Sequence, residues 1–441
     1  MTRGVPTVAD TAAPSHWRDR AATRAGIDTM HTLSRSRRSA ARVALIAACA
    51  AIFSSLLGSA DVAAAQPSRD VAACQLPVLI EGWHNEGFPT DFDVFLEPEG
   101  TLQAVMLFVD FPDARIVDAD DAWDEVHEYL SIHQPGLDWL GTASYGSVEV
   151  ELTVVDEWYH MSQPSTVYGL DRAVTFDEHV AYISEAVALA DADVDFSFYD
   201  IVYVVVAPNA TGISNSPAYI DPSDSRIVAD GVPITHGATF GTSVWDWAEP
   251  DRPLVMAHET AHIFSLPDLY AFSGDPHQFV GGWDVMGNLA GAAPGLFAWH
   301  RWKLGWISDR QVACLAEPGT YTVRLTVLDR PNGTKLAVIP TGPSTALILE
   351  SRRAIGLDAE ACSTGVLAYW VDSSVATGLG PVRVVDATPG DPGSAACGDL
   401  DIATFGTASR PSTLTDPATG VTIEVVRQSR FTDVITVTID G

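Results

Sequence analysis

Lysine is nearly absent from this chain of 441 residues, which contains only Lys303 and Lys335. Residues 1–65 hold 8 of the 25 basic and 4 of the 57 acidic residues, so residues 66–441 carry a net charge of −36 at pH 7. Such a charge repels nucleic-acid phosphates and anionic membrane surfaces, and no basic patch interrupts it. The composition therefore argues against nucleic-acid partners and favours a soluble protein.

Long hydrophobic runs are also missing. The longest run, residues 43–57, is too short for a comfortable membrane span. Four arginines precede it, and three alanines at 63–65 supply the small residues that signal peptidase requires. We therefore expect residues 1–65 to be an N-terminal extension and a secretory signal peptide, with Met30 as an alternative start. The mature chain is expected to be secreted, monomeric and free of membrane contact.

Cysteines are few, and one of the five lies within the expected signal peptide. No two of the other four are separated by two to four residues, which argues against a cysteine zinc cluster. Their even number suits two disulfides formed in an oxidising compartment. Three pairings are open, and proximity in sequence favours Cys362 with Cys397, which leaves Cys74 for Cys314. Lipidation of Cys74 is a weaker alternative, because two charged residues separate it from the apolar run.

The pattern His-Glu-x-x-His occurs at residues 258–262. Residues four apart share one face of a helix, so His258 and His262 can present two imidazole nitrogens to one zinc ion. Glu259 lies one step round the helix, beside the open coordination position. A carboxylate there can take a proton from metal-bound water and pass it to a leaving amine. Glu259 is therefore the candidate general base.

The third ligand distinguishes the classes of zinc peptidase. One class uses a glutamate some twenty or more residues downstream, but no glutamate occurs between Glu259 and Glu317. Another class bends the chain after the second histidine and uses the residue six positions beyond it, with a later methionine turn beneath the metal. Asp268 occupies the ligand position, and we predict it as the third metal ligand. Met286 can form the methionine turn, and we predict that it supports the metal site without binding the ion.

One position departs from that second pattern. The bend normally uses glycine, which tolerates a positive φ, whereas this chain has Ser265. His277 and Asp284 therefore remain alternative third ligands, and Asp268 has an alternative interpretation as an ordinary turn residue after proline.

The segments His258–Tyr270 and Gly282–Gly287 resemble the immune inhibitor A family of secreted bacterial metalloproteases. The resemblance spans roughly residues 100–372 and implies a zinc endopeptidase that acts on proteins outside the cell. In this family an acidic residue follows the second histidine at the position of Asp268. Shorter segments with the same resemblance are residues 104–113, 144–146, 195–200, 304–306, 349–352 and 365–369.

A weaker pattern concerns calcium. Asp191, Asp193 and Asp195 alternate in a loop and could converge on a hard cation. The loop lacks the glycine and the distal glutamate of an EF-hand, so a solvated acidic turn that closes a helix is the competing interpretation.

The periodicity predicts an α/β (α+β) zincin-like catalytic domain, with a mixed sheet and an active-site helix, followed by a C-terminal all-β sandwich. The expected limits are 66–100 for an entry segment, 101–312 for the catalytic domain and 313–441 for the sandwich. Predicted strands of the catalytic domain include 103–110, 147–155 and 200–207, and predicted helices are 119–133, 174–190, 253–265 and 294–303.

These patterns together predict a secreted zinc-dependent endopeptidase that acts on extracellular proteins or peptides. The alternatives are a non-catalytic secreted binding or adhesion protein with a metal-stabilised domain, and a zinc hydrolase of a non-peptide bond. Tyr270 is a candidate for oxyanion stabilisation or for turn packing. Trp299, Trp302 and Trp306 are expected to be core residues.

Overall fold

A computed structural model describes most of the chain that follows the expected signal peptide. The described residues are 65–68, 70–81, 83–117, 119–221, 223, 226–245 and 254–441. Residues 1–64, which include almost all of the expected signal peptide and the alternative start at Met30, lie outside them. In this described part, no helix combines the length and apolar character that a membrane span requires.

Two strongly apolar strands form the centre of the first sheet, β1 (Gly100–Asp110) and β3 (Ile201–Val206). Every residue of β3 is buried, as expected for a strand covered on both faces. β1 pairs in parallel with β3 and with β2 (Val148–His160). β7 (His236–Phe240) pairs in parallel with β3, and β4 (Ala218–Ile220) is antiparallel to β7. The order is β2-β1-β3-β7-β4, which leaves β4 at one edge.

The first long helix extends further than predicted. The prediction ended at 133, before Pro135, whereas α1 spans Ala119–Ala143 with Pro135 inside it. A proline removes one helical hydrogen bond, but the buried face continues through Leu137 and Leu140, and this packing outweighs the loss. The other helices are α2 (Ser165–Tyr168), α3 (Phe176–Ala190), α4 (Val255–Ile263) and α5 (Ala298–Lys303).

The region after residue 311 is rich in β-structure. Its strands are β8 (Val312–Cys314), β9 (Gly319–Thr326), β10 (Leu336–Pro340), β11 (Thr345–Arg352), β12 (Gly365–Asp372), β13 (Val382–Val384), β14 (Thr413–Asp416), β15 (Val421–Gln428) and β16 (Thr432–Ile439). One sheet has the order β13-β12-β11-β10-β8 and another has the order β14-β15-β16-β9. The two sheets share an apolar core that includes Val323 and Ile435 from one sheet and Ile339 and Leu347 from the other. Earlier in the chain, β5 (Val228–Ala229) and β6 (Val232–Pro233) form a short hairpin.

The opposite face of the five-stranded sheet joins the core of the α/β region. Ile348 and Tyr369 belong to the same buried cluster as Trp299, Trp302 and Trp306, which are core residues as predicted. The molecule is thus a mixed α/β region followed by a β-rich region. One face of the five-stranded sheet belongs to the core of the α/β region, and its other face belongs to the separate core between the two sheets.

Both disulfides follow the pairing that proximity in sequence favoured. Cys362 is bonded to Cys397, and Cys74 is bonded to Cys314 at the end of β8. The thiol of Cys74 is therefore occupied, which does not agree with the lipidation alternative. The Cys74–Cys314 bond, together with backbone pairing of Ser68 with Cys314, fixes the start of the described chain to the β-rich region.

The two lysines are both buried. The Lys303 ammonium donates to the Gly87 carbonyl at 2.8 Å, and the Lys335 ammonium donates to the Val327 carbonyl at 3.0 Å. Burial lowers the pKa of Lys303 to about 8 and that of Lys335 to about 7. Neither lysine therefore offsets the negative charge at the surface.

Candidate metal centre

The helix α4 carries both histidines of the motif and is fixed to the sheet by a buried hydrogen bond. The hydroxyls of Thr260 in α4 and Tyr203 in β3 lie 2.7 Å apart. At the end of α4, the His84 ring donates from Nε2 to the His262 carbonyl at 2.9 Å, and the Leu96 N–H donates to the Ile263 carbonyl at 3.1 Å. The last carbonyls of a helix need such partners, and here the segment before β1 supplies them.

Each imidazole is oriented by a backbone carbonyl. His258 Nδ1 lies 3.1 Å from the Val285 carbonyl, and His262 Nδ1 lies 2.7 Å from the Leu266 carbonyl. Because a carbonyl only accepts hydrogen bonds, the hydrogen of each ring is on Nδ1. The Nε2 atom of each neutral ring then has a free lone pair, which is the form that binds a metal.

Asp268 completes a group of three ligand atoms. Its Oδ1 lies 3.2 Å from Nε2 of His258 and 3.2 Å from Nε2 of His262. All three ligand atoms lie within 4.8 Å of one another. Three acceptors at this spacing repel one another unless protons or a cation lie between them. Burial opposes ionisation of Asp268, but the two imidazoles outweigh it and hold the pKa of this carboxyl well below its ordinary value.

The spacing of this group fits a metal ion. Two ligands bound about 2.0–2.1 Å from a tetrahedral ion lie about 3.3 Å apart. Two imidazoles and one carboxylate suit zinc and other divalent transition metals. Within the described chain no other group of three His, Cys, Asp or Glu ligand atoms lies so close together.

Ser265 makes the bend that returns the chain to the histidines. Its φ is +97°, although it carries a side chain. The Ser265 N–H donates to the His262 carbonyl at 2.9 Å, which ends the helix and points the following residues back toward it. The serine at this position therefore adopts the backbone conformation that glycine normally supplies, and Asp268 reaches the site.

We expect Ser265→Gly to raise the free energy of unfolding by about 1 kcal/mol, because a left-handed conformation costs a residue with a Cβ roughly that much. The Ser265 hydroxyl is also buried with no hydrogen-bond partner in the described residues. Urea unfolding of the parent, Ser265→Gly and Ser265→Ala separates the two effects, since alanine removes only the hydroxyl. A glycine variant less stable than the alanine variant would contradict the backbone explanation.

Glu259 lies beside the three ligand atoms. It is only 8% exposed, and it lines the first cavity together with Ala218 of the edge strand β4. Burial, reinforced by the negative charge of Asp268, raises the pKa of Glu259 to about 8. A divalent cation at the neighbouring ligand atoms would favour the ionised carboxylate.

Met286 lies in a buried turn beneath the site. Its carbonyl accepts from the Leu269 N–H at 2.9 Å, which joins the turn to the segment that carries Asp268. The preceding residue, Val285, provides the carbonyl that orients His258. The turn thus supports the histidine and the aspartate through the backbone.

The two alternative ligands have other roles. Asp284 is fully buried and accepts from the N–H groups of Met286 and Phe297 at 2.8 and 2.7 Å, so its carboxylate shapes the turn. His277 is exposed, and its Nδ1 lies 3.2 Å from the Gly287 carbonyl. Neither residue belongs to the group of three ligand atoms.

A buried ionic network lies behind the turn, and the sequence analysis missed it. The His300 ring contacts Asp284 at 3.0 Å and Glu86 at 3.1 Å, and all three side chains are fully buried. Burial alone would lower the pKa of His300, but the two carboxylates raise it to about 10. Nothing in the sequence pattern distinguishes Glu86 or His84 from exposed residues of a loop, because both acquire their partners only in the folded molecule.

Two cavities of about 360 and 390 Å³ meet at the site. His258, Glu259 and Tyr270 line both, and His262 and Asp268 line the first. The Tyr270 ring lies 6.4 Å from the His258 ring, and burial followed by the charge of Asp268 raises the pKa of its hydroxyl. Tyr270 therefore faces the cleft with a neutral hydroxyl that can donate.

The predicted calcium loop has a different arrangement. Asp193 accepts from the Tyr159 hydroxyl at 3.3 Å, and Asp195 caps a short helical turn by accepting from the Ser197 N–H at 3.1 Å. Asp191 ends α3. Among the described residues, these three carboxylates are not found as a close group of ligand atoms. Calcium binding by this loop stays a prediction.

Comparison with known proteins gives little further information. No family model matches the chain, and no curated protein matches it. A crystal structure of wild-type OgpA from Akkermansia muciniphila aligns with 66% of this chain and 92% of that chain, at 11% sequence identity and a TM-score of 0.26. A likeness this slight carries no inference about fold or activity, so the resemblance to the immune inhibitor A family stays a prediction from sequence motifs.

Proposed function

We propose that this protein is a metal-dependent endopeptidase, with zinc as the expected ion, that hydrolyses peptide bonds in extracellular proteins. The observation that carries the proposal is the convergence of His258, His262 and Asp268, with Glu259 beside them at the meeting point of two cavities. A structural metal site has no need of a buried carboxylate that lines an open cleft. A hydrolytic site needs one as a base.

In this proposal His258, His262 and Asp268 would hold the ion, which would supply Lewis-acid chemistry to the scissile carbonyl and to a water molecule. The role of the Glu259 carboxylate would be to take a proton from the attacking water and return it to the leaving nitrogen. The Tyr270 hydroxyl donates a hydrogen bond to the oxygen on which negative charge develops. The Val285 and Leu266 carbonyls keep both imidazoles in the tautomer that leaves Nε2 free.

The sheet edge beside the cleft supports a peptide substrate. One side of β4 pairs with β7, and Ala218 of β4 lines the first cavity. An extended chain can add to such an edge through backbone hydrogen bonds, which are independent of its sequence. A small ester would make none of these bonds, so the edge favours peptides over small esters.

The direct test uses the secreted full-length protein and an unstructured protein substrate. We expect about one zinc ion per chain, cleavage at internal peptide bonds, loss of cleavage after chelation and recovery on addition of zinc. A zinc-loaded protein that cleaves no peptide bond would contradict the proposal and favour a non-catalytic binding protein. Cleavage that survives complete removal of metal would also contradict it.

Asp268→Ala should lose most of its zinc at a free-ion concentration that saturates the parent. Loss of one of three protein ligands should weaken binding by more than the 10–100-fold typical of outer-shell changes. The contacts of Asp268 with Thr377 and Gly378 use its backbone, so the variant keeps them and should fold. Metal analysis after dialysis against a zinc buffer measures the effect, with the exposed Asp275→Ala as control. Undiminished zinc in Asp268→Ala would reject this ligand.

A further inference from the structure

Among the described residues, one guanidinium lines the cleft. Arg172 lines both cavities, and no other lysine or arginine is among the described residues that line them. It lies in the loop before α3, and its side chain is exposed. Its guanidinium carbon is 6.0 Å from the centre of the Tyr270 ring. This places a fixed positive charge next to the proposed catalytic residues.

Arg172 forms no ion pair with any described carboxylate. Its guanidinium makes a cation–π contact with the face of the Tyr270 ring. Arg226, another exposed arginine near α3, is by contrast paired with Asp177 at 2.6 Å. Contact with an aromatic face leaves the edge donors of a guanidinium free, and these donors match the two oxygens of a carboxylate.

The negative groups of the cleft are already engaged. Asp268 faces the two imidazoles, and Glu259 is buried next to His258. Much of the remaining lining is apolar or aromatic, including Val174, Phe272 and Leu289. Apart from the proposed metal ion, the cation among the described lining residues that an acidic group of a bound substrate would meet is therefore Arg172.

We propose that Arg172 binds a carboxylate of the substrate and makes the enzyme prefer peptides with an acidic group near the scissile bond. The inference rests on the proposed peptidase function. Arg172 lines the same two cavities as Glu259, so we place the carboxylate within about two residues of the bond that is cleaved, at roughly 3.3–3.6 Å per residue. Because the proposed enzyme cleaves internal bonds, this carboxylate belongs to an aspartate or glutamate side chain.

The test uses the full-length zinc-loaded protein and internally quenched peptides that differ at one position. Asp, Asn, Lys and Ala are placed in turn at each of the two positions on either side of the scissile bond. Each peptide is made with a free and with an amidated carboxyl terminus. The enzymes are the parent, Arg172→Gln, Arg172→Glu and the control Arg310→Gln, an exposed arginine that lines neither cavity.

For the parent we expect kcat/KM at least about tenfold higher for Asp than for Asn at one position, since hydrogen bonds to charged groups contribute on that scale. Arg172→Gln should abolish this ratio, Arg172→Glu should favour Lys instead, and Arg310→Gln should keep the parental ratio. The preference for Asp should be the same in peptides with free and with amidated carboxyl termini. A parent that instead favours free over amidated peptides, with no preference for Asp over Asn, would bind the chain end and overturn the inference.

Two results would overturn the inference while the proposed function stands: a parent without acidic preference, or an Arg172→Gln variant that retains it. A zinc-loaded parent that cleaves none of the peptides and no unstructured protein would overturn the function and the inference together. Unchanged zinc content and an unchanged urea unfolding midpoint in Arg172→Gln show that the substitution has not damaged the fold or the metal site.

Discussion

Replacing Glu259 by glutamine is expected to lower kcat by about 10²–10⁴-fold while zinc remains bound, because a positioned general base contributes on that scale. Glutamine has nearly the shape of glutamate but cannot accept and return the proton of the water. His258, His262 and Asp268 are unchanged, so the metal content should equal that of the parent. The expected result is thus loss of turnover without loss of metal.

The measurement pairs zinc analysis with steady-state cleavage of a quenched peptide. Glu259 is buried, so a neutral glutamine has less charge to desolvate, and the variant should unfold at no lower urea concentration than the parent. The exposed Glu317→Gln is the matched control. Parental activity in Glu259→Gln would show that the mechanism is wrong. Parallel loss of metal and activity would give Glu259 a structural role.

Replacing His300 by glutamine should destabilise the fold by about 3–5 kcal/mol, since it leaves two buried carboxylates without their cation. His300 lies between Glu86 and Asp284, and each contact is shorter than 3.2 Å. Glutamine has a similar size and polar atoms at its end, but no positive charge. The expected loss is large because the network is entirely shielded from water.

Urea unfolding at several pH values measures this effect. The pKa of His300 is raised in the folded protein, so its contribution is complete below its unfolded value of about 6.5 and is lost as the pH rises toward 10. The stability difference between parent and variant should therefore narrow from pH 7 to pH 9.5. His277→Gln, at an exposed histidine, should change stability by less than about 0.5 kcal/mol. A His300→Gln variant as stable as this control would contradict the ionic role of the network.

The parts of the site that follow local rules could be predicted from the sequence. Helical spacing placed His258 and His262 on one face, and the offset of Asp268 from the second histidine identified the residue that faces both rings. The central strands were recognisable as continuous apolar runs. Each of these features depends on residues that are close together in the sequence, so the spacing of residue types along the chain is enough to predict it.

The features that were missed depend on distant contacts. Glu86 is more than 200 residues from His300, and its burial depends on how the segment before β1 packs against α5. The length of α1 was underestimated because packing on its buried face outweighs the effect of Pro135. Ser265 adopts the positive φ that glycine normally provides at such a bend, because backbone hydrogen bonds on either side of the bend hold it in place.

Anomalous X-ray diffraction at the zinc absorption edge, from crystals of the zinc-loaded protein, tests the central claim most directly. The account predicts one strong peak about 2.0–2.2 Å from Nε2 of His258, Nε2 of His262 and a carboxylate oxygen of Asp268, with a side open to the two cavities. A peak at other residues, or fully loaded crystals in which these two imidazoles point away from the ion, would contradict it.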